Sequence, residues 1–301
     1  MHLMHLVVLT RNESARIQRT IESALPLIDS YTLLDTGSTD NTIEVVRRTA
    51  GNLPGQVVSA PWTGSFADAR NRAFDAARAY VCQADRQYLL HLDAGEQIGT
   101  DAPLPELTAD AYQVPVSYGG CRFNSTRIFR ARAQWVWKYR IHETPIYAAG
   151  VVRQLDCCEI FSDLGDQSPA KYENYARLSA LDLAEHPNDP RVVFYAAQNF
   201  YAVKRYAEAL NLYALRTTLG GWTEEVWYSE MRVGMCFEML GRIVDAAESY
   251  REAFEMAPHR AEPARHLARM LQSEKWATVA DSIPVPDTCL FLEREKYKCA
   301  N

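Results

Sequence analysis

Residues 89–98 read LLHLDAGEQI, and this stretch decides the fold of the first half of the chain. An apolar run ends in two carboxylates, Asp93 and Glu96, and then stops being apolar. Open α/β sheets bind their ligands outside the carboxyl ends of their strands, where loops and helix N-termini converge. The stretch therefore predicts a buried strand that delivers acidic side chains to a site.

Two further apolar runs lead into polar residues in the same manner. Residues 5–10, HLVVLT, run into RNE at 11–13, and residues 31–34, YTLL, run into DTGSTDNT. Because the carboxyl ends of parallel strands share one edge of a sheet, the three runs predict a single polar pocket. The residues at 38–40, STD, are equally typical of a turn or of an N-cap for the helix that follows.

Composition places the chain among globular proteins of two ordinary domains. It has 301 residues, 48% hydrophobic and 23% charged, and a formal net charge of −6 without a basic tail, which does not imply strong nonspecific binding to nucleic acid. The N-terminus enters the first strand directly, so we expect neither a signal peptide nor a membrane span. Seven cysteines without a CxxC pair, Cys157 and Cys158 being adjacent, are typical of thiols in a reducing cytoplasm.

The chain has two patterns, one before and one after about residue 165. Helical stretches at 14–25, 42–50 and 66–82 alternate with the apolar runs, which predicts βαβ units and a mostly parallel, Rossmann-like sheet. Beyond residue 172 the pattern is helical almost throughout. We therefore predict an α/β domain at 1–165, a helical repeat domain at 166–280, and a C-terminal tail at 281–301.

The helical half repeats itself. Residues 205–213, RYAEALNLY, align with residues 242–250, RIVDAAESY, at a spacing of 37. The period resembles that of tetratricopeptide repeats, which is about 34 residues, and the excess fits in the loop at 218–223. Small residues are expected at the tight helix crossings and aromatic residues in the wider gaps. The small residues include Ala209, Gly234 and Ala246, and the aromatic residues include Phe200, Tyr213, Phe237 and Tyr250.

The first half resembles a known family. The segments VVLTRNESARIQRTIESALPLIDSYTLLDTGSTDNT, PWTGSFADARNRAFDAA and LLHLDAGEQI occur in the order and spacing of family-2 glycosyltransferases of the GT-A fold. The resemblance covers roughly residues 3–150 and is closest to the bacterial subgroup that carries tetratricopeptide repeats behind the catalytic domain. It implies a nucleotide-sugar donor at the carboxyl edge of the sheet and transfer of the sugar to a hydroxyl, with inversion.

The same resemblance assigns residues to the donor. Asp35 would accept a hydrogen bond from the base, and Arg70 would approach the nucleotide. For Arg70 the alternative is a helix-surface cation paired with Asp68 or Asp75. The positions that would contact the nucleotide are Thr10, Asn12, Glu13, Asp35 and Arg70.

The family's metal motif is incomplete here. Asp93 matches the first acidic residue of the Asp-x-Asp motif, which holds ribose and a divalent metal, but Gly95 replaces the second. Glu96 follows directly and, with His142, is a candidate ligand for Mn²⁺ or Mg²⁺, which prefer hard oxygen ligands. A metal-independent site is the alternative. Glu143, paired with His142 in the family pattern, would be the base that takes the proton from the acceptor hydroxyl.

A basic cluster interleaved with aromatic residues lies between these motifs. Alternation on exposed strands explains part of it, and contact with donor phosphates or an anionic acceptor is the functional alternative. Such a pattern also binds single-stranded nucleic acid or flipped bases, so a modified DNA base remains a candidate acceptor. The cluster consists of Arg122, Arg127, Arg130, Arg132, Lys138 and Arg140.

We predict a cytoplasmic glycosyltransferase that uses a nucleotide-sugar donor, with a UDP-sugar favoured. The acceptor is expected to be macromolecular: a protein, a glycan or modified DNA. The repeats would hold that acceptor or a second copy of the chain, through groove residues Tyr195, Asn199, Arg232 and Glu238. Two other functions stay open: a catalytically weak scaffold whose repeats bind a peptide, and a nucleotidyltransferase that would release pyrophosphate.

Overall fold

A computed structural model describes residues 3–81, 87–119, 121–147, 149–163, 167–286 and 291–297. The chain divides into two compact units, Met1–Gln167 and Ser168–Asn301. The elements of the first unit, in chain order, are β1 (Leu3–Thr10), α1 (Ile17–Ala24), β2 (Ser30–Asp35), α2 (Thr42–Ala50), β3 (Gly55–Ser59), α3 (Phe66–Tyr80), β4 (Gln87–Asp93), β5 (Gln97–Thr100), β6 (Ala111–Tyr118), β7 (Cys121–Arg130), β8 (Val136–Lys138), β9 (Thr144–Ile146), β10 (Val152–Gln154) and β11 (Cys158–Ser162).

The first unit is built on one mixed sheet, which has nine strands within the described ranges. Its strand order is β3-β2-β1-β4-β7-β6-β11-β5, with β10 beside β6. The strands β3, β2, β1 and β4 run parallel to one another. Strand β7 is antiparallel to both β4 and β6. The strands β8 and β9 form a separate antiparallel pair. The predicted α/β domain with a largely parallel sheet is confirmed.

Both faces of the sheet are covered, which explains why its central strands are apolar on both sides. Leu6 and Val8 of β1 pack into a core that includes residues of α1 and α2. Val7, one position between them, packs into a second core with Phe74 of α3 and Trp137 of β8. This alternation follows from the twofold side-chain period of a strand.

One polar side chain is accommodated inside β1. His5 is buried, and its two ring nitrogens lie 2.7 Å from Ser30 Oγ and 2.7 Å from Thr32 Oγ1. Both hydroxyls come from the parallel neighbour β2. Burial lowers the pKa of His5 from 6.5 to about 4, so the ring is neutral at neutral pH.

The second unit is helical throughout its described elements, and each helix packs on the next. Tyr213 and Tyr250, at equivalent repeat positions, are fully buried, as are Ala209 and Ala246. A Cβ on Gly234 would lie 2.8 Å from the Tyr250 ring, so this crossing requires a residue without a side chain. The prediction of small residues at tight helix crossings is confirmed. The helices are α4 (Pro169–Glu185), α5 (Pro190–Ala202), α6 (Tyr206–Thr218), α7 (Thr223–Met239), α8 (Ile243–Met256), α9 (Glu262–Leu271) and α10 (Glu274–Asp281).

The turns inside the two matching helix pairs have the same construction. Lys204 and Gly241 occupy equivalent positions with φ of 62° and 75°. Arg205 stacks 4.2 Å from the Phe200 ring centroid, and Arg242 stacks 4.4 Å from that of Phe237. The 37-residue repeat is therefore visible in backbone conformation as well as in packing.

Part of the C-terminal region packs on the repeats. Phe291 stacks on Tyr228 of α7 at a centroid distance of 4.4 Å. A short 3-10 helix (Arg294–Lys296) follows, and the buried Tyr297 donates a 2.6 Å hydrogen bond to Glu262 at the start of α9. Tyr297 belongs to the core beside α9.

The described residues bear on two expectations, one about membrane-spanning helices and one about the adjacent cysteines. No helix among them has the length and apolar character needed to cross a bilayer. Cys157 and Cys158 are free thiols, with Cys158 buried.

Candidate active site

The carboxyl ends of three parallel strands lie side by side in the first unit. Thr10, the last residue of β1, is paired in register with Asp35, the last residue of β2. On the other side of β1, Leu9 is paired with Asp93, the last residue of β4. Three of the predicted site residues are therefore neighbours at one sheet edge, because the register of the parallel strands places them there.

The loops after β1 and β2 are tied to each other. Asn12, with φ of 55°, accepts a 2.7 Å hydrogen bond from the Thr39 backbone N–H, and its own N–H donates to Ser38 Oγ at 2.9 Å. The Asp35 carboxylate accepts the backbone N–H groups of Gly37 at 3.1 Å and Ser38 at 3.0 Å. Asp35 thus holds the shape of the loop that would surround a base.

Two other predicted donor contacts border this loop pair. Thr10 is buried, and its hydroxyl oxygen has no hydrogen-bond partner among the described residues. The backbone N–H of Glu13 donates to Thr42 Oγ1 at 2.8 Å, and burial raises the pKa of the Glu13 carboxyl against the opposing charge of Arg16. A buried hydroxyl without a partner in the described residues is suited to meet a polar ligand.

The centre of the site is an ion network around Arg70 of α3. Its guanidinium donates to both oxygens of Asp93, at 2.8 Å and 3.2 Å, and its Nε donates to Glu143 at 2.5 Å. The side chain of Arg70 is 8% exposed, against 42% for Asp93 and 12% for Glu143. The structure therefore brings these three predicted residues together, with Arg70 as the buried member and Asp93 as the one most open to solvent.

A neutral histidine and an indole complete the surroundings of Arg70. His91 of β4 is buried and contacts the guanidinium through Nε2, and Trp137 lies 5.1 Å from it. Burial, and next the Arg70 charge, lower the pKa of His91 well below its usual range. Burial acts to raise the pKa of Asp93, but the charges of Arg70 and Arg127 and the hydrogen bonds from Arg70 act together against it and hold that pKa far below its ordinary value. Asp93 is thus an anion and His91 is neutral.

The segment before Glu143 has an irregular backbone. Tyr139 and His142 adopt φ of 71° and 52°, in the left-handed region. The carbonyl of Arg140 accepts the Phe66 N–H at 2.9 Å, which fixes the segment against the first turn of α3. His142 is half-buried beside Glu143.

Glu96 does not offer an open carboxylate. It is buried, and its two oxygens accept hydrogen bonds from Arg127 at 2.8 Å and 2.9 Å. One of these oxygens also accepts the Asp93 backbone N–H at 2.8 Å. The expectation that Glu96 ligates a metal does not fit this arrangement, since its lone pairs are directed to Arg127 and to the turn after β4.

Gly95 is covered by a cation. Its φ is +101°, and a Cβ placed on it would lie 2.7 Å from Cζ of Arg16. Arg16 is held by Asp163, at 2.5 Å, and by Glu13, at 3.4 Å. The Arg16 guanidinium therefore occupies the space in which the side chain of an aspartate at position 95 would begin.

The contacts of the candidate ligands decide whether they are available to the implied divalent metal ion. Asp93 is engaged by Arg70, Glu96 by Arg127, and position 95 by Arg16. No group of three or more His, Cys, Asp or Glu side chains within the described ranges has the spacing to hold a metal ion. The donor set present does not fit a divalent ion.

Several members of the predicted basic cluster form ion pairs inside the unit. Arg122 pairs with Glu159 at 3.2 Å, Arg127 with Glu96, and Arg130 with Asp110 at 3.5 Å. Arg132 and Lys138 lie on the exposed side of a stretch whose alternate residues are buried, as strand alternation predicts.

The sequence did not identify Arg16, the pairing of Arg127 with Glu96, or the part played by His91. Arg16 and Arg127 are ordinary helix and strand cations by pattern, and their partners are distant in the chain. The one available signal was His91, a lone imidazole in an otherwise apolar run.

Comparisons with known proteins agree with this geometry. Residues 5–145 match the sequence model of Glycosyl transferase family 2. The chain is 31% identical over 99 residues to an uncharacterized glycosyltransferase of Rickettsia prowazekii, covering 31% of this chain and 28% of that protein. It is 27% identical over 147 residues to a TPR repeat-containing protein of Synechococcus elongatus, covering 46% of this chain and 34% of the relative.

Among solved structures, the chain is similar to S. aureus TarS 1–349 in complex with UDP. The identity is 13% and the TM-score 0.44, with 84% of this chain and 90% of that chain covered. The chain spans about a third or less of the length of the two curated relatives described above.

The strand order and the polar carboxyl edge are typical of α/β domains that bind a ligand beyond the carboxyl ends of their parallel strands. Residues 5–145 match glycosyl transferase family 2, and the helices that follow them repeat with a period similar to that of tetratricopeptide repeats.

Proposed function

We propose that the protein transfers a sugar from a nucleotide-sugar donor, preferentially a UDP-sugar, to a hydroxyl of a macromolecular acceptor. The observation that carries this is the network in which buried Arg70 holds both Asp93 and Glu143. It joins residues of α3, the end of β4 and the start of the β8–β9 region, which only the fold brings together. A network of this kind fixes two carboxylates in defined orientations at the sheet edge.

Asp93 is proposed to bind the donor ribose. Arg70 holds both carboxylate oxygens from the buried side, and the 42% exposure of the side chain leaves their outer lone pairs to accept from hydroxyl groups. A bidentate guanidinium contact fixes the carboxylate plane. The base of the donor would then lie at the joined loops of Asn12 and Asp35.

Glu143 is proposed as the general base. The acceptor hydroxyl gives its proton to the carboxylate, the oxygen bonds to the anomeric carbon, and the bond from that carbon to the diphosphate oxygen breaks. The electron pair of the broken bond leaves with the nucleoside diphosphate. Attack on the face opposite the leaving group inverts the anomeric centre. Arg70 is a positioning residue, because it contacts Glu143 through Nε and lies beneath it.

The test is a transfer and hydrolysis assay with UDP-, GDP- and TDP-sugars. Replacing Glu143→Gln keeps the shape and removes the base, so we expect turnover to fall about 10²–10⁴-fold while donor affinity changes little. The matched control is Glu159→Gln, at an ion pair with Arg122 whose guanidinium is 61% exposed, with turnover expected to be retained. Lack of turnover of every donor by the unaltered protein would instead support a scaffold, and release of pyrophosphate would support a nucleotidyltransferase.

The repeat unit is proposed to bind the acceptor or a second copy of the chain. Of the predicted groove residues, Asn199 is buried and donates 2.7 Å to Ser179, which fits a packing role. Arg232 lies 3.7 Å from the Tyr201 ring and is half-buried. Paired substitution at Arg232 and Glu238 should reduce transfer to a macromolecular acceptor while hydrolysis of donor by water is kept.

A further inference from the structure

The Arg16 side chain covers the turn after β4. Gly95 has no side chain, and its N–H donates 2.8 Å to Thr20 Oγ1 in a buried contact, so residue 95 is held against α1. The Arg16 guanidinium fills the volume that a Cβ on Gly95 would need. Position 95, close to Asp93, therefore lacks the family's carboxylate and is covered by the Arg16 cation.

Arg16 shares its main acidic partner with a second arginine. Asp163 accepts hydrogen bonds from both Arg16 and Arg19, so two guanidinium groups share that one carboxylate. Glu13 contacts Arg16 at the longer distance of 3.4 Å. The Arg16 side chain is 30% exposed, which leaves N–H groups accessible to an anion.

The chemistry of the site favours an anion over a divalent cation next to position 95. A guanidinium repels a metal ion placed beside it and attracts phosphate oxygens, to which its planar fork can donate two parallel hydrogen bonds. Glu96, one of the candidate metal ligands, is already bound by Arg127.

We propose that Arg16 supplies the positive charge for the donor diphosphate, and that the nucleoside diphosphate binds here without a divalent metal ion. The inference rests on the proposed function, because it concerns the donor of that reaction. As the bond to the sugar breaks, the electron pair stays on the diphosphate oxygen, and Arg16 is the cation placed to stabilise that charge.

The experiment measures binding of UDP, GDP and dTDP by calorimetry, in chelator and with added Mn²⁺ or Mg²⁺. The matching nucleosides, which lack phosphate, are measured by ligand-observed NMR. For the best diphosphate we expect the same Kd within about twofold with and without metal. Arg16→Gln should weaken the diphosphate about 10- to 100-fold, as for a charged hydrogen-bonding group, and leave the nucleoside unaffected. Arg16→Lys, which keeps the charge and loses the fork, should fall between.

The matched control is Arg19→Gln, which removes an arginine bound to the same Asp163 but leaves the one over Gly95. Its effect on diphosphate affinity should be about twofold or less. Binding that requires Mn²⁺ or Mg²⁺, or equal losses for Arg16→Gln and Arg19→Gln, overturns the proposal and leaves the proposed function standing. If no nucleotide or nucleoside binds to the folded protein, both fall together.

Discussion

At the scale of single residues, the site depends on guanidinium groups that each hold more than one acidic partner. Arg70 forms ion pairs with Asp93 and Glu143. Arg16, which covers Gly95, forms ion pairs with Asp163 and Glu13. Glu143, at 12% exposure, is the most buried of these carboxylates, and without Arg70 its charge would be costly.

The first prediction concerns Gly95. Gly95→Ala should lower the free energy of unfolding by about 1–3 kcal/mol, because the backbone angle disfavours any side chain and the Cβ meets Arg16. In an Arg16→Ala background the steric part disappears, so the same substitution should cost less there. Urea unfolding of the four proteins of this cycle measures the coupling. Equal costs in the two backgrounds would contradict the contact between Arg16 and Gly95.

The same contact predicts the consequence of restoring the family's second acidic residue at position 95. A Gly95→Asp chain would place its carboxylate against a backbone and a guanidinium that already fill the space. We expect strain at this position, with no new ligand geometry for Mn²⁺.

Residue types at strand ends could be predicted, whereas their partners could not. Asp35 and Asp93 follow apolar runs, and local pattern is sufficient to place them at the sheet edge. The bonds of Glu96 to Arg127 and of Arg16 to Asp163 depend on tertiary structure, and no short-range pattern encodes them.

At the scale of elements, the three helices of the first half and the strands β1, β2 and β4 were predictable because both have strong periodicity. The helix expected from residue 14 begins at Ile17. The N–H groups of Arg16 and Ile17 both donate to the Glu13 carbonyl at 2.9 Å, which makes a turn before the helix. The strands β8, β9 and β10 have three residues each, which is too short to give a clear pattern.

The second prediction uses the duplicated turn of the repeats. Lys204 is exposed and has φ of 62°, where its counterpart Gly241 has 75°. Lys204→Gly removes the left-handed strain at some cost in unfolded-state entropy, so stability should rise by about 0.5–1 kcal/mol. Gly241→Ala is the reciprocal control and should lower stability by about 1 kcal/mol, since a Cβ there has open space and only the backbone angle changes. Thermal melting measures both, and a loss of stability in Lys204→Gly would refute the equivalence.

At the scale of the whole molecule, the two units contain buried titrating groups with opposite responses to pH. In the first unit, burial lowers the pKa of His5 to about 4. In the second, burial raises the pKa of Glu230 to about 7, with the charge of Glu252 adding to the effect. These shifts link folding to protons with opposite signs.

The third prediction follows from the shift at His5. The unfolded chain binds the extra proton between pH 6.5 and about 4, so His5 removes stability as the pH falls through that window. In His5→Gln this loss should be absent. The melting temperature of the unaltered chain relative to the variant should therefore rise from about pH 4 to about pH 6.5. A constant difference would show that His5 is not the group responsible.

The fourth prediction concerns Glu230. Here the folded chain holds the extra proton between pH 4.5 and about 7, so stability is lost as the pH rises through that window. Glu230→Gln should therefore stabilise the protein little near pH 4.5 and progressively more up to about pH 7. Glu208→Gln, at an exposed pair with Arg205, is the control whose effect should not grow in that window. A stabilisation that shrinks as the pH rises would contradict the shift.

The pairing of Arg16 with Asp163 has a consequence for how the chain folds. The two residues are 147 positions apart, and Asp163 directly follows β11, which closes the sheet against β6 and β5. Contacts of such long range form only after most of the loop entropy has been lost, which slows folding. The parallel half of the sheet can thus collapse early around β1, while Arg16 gains its main anchor only when the last strand docks. The donor corner is then among the last parts of the first unit to mature, and a partly folded chain would hold an unrestrained arginine in place of a finished site.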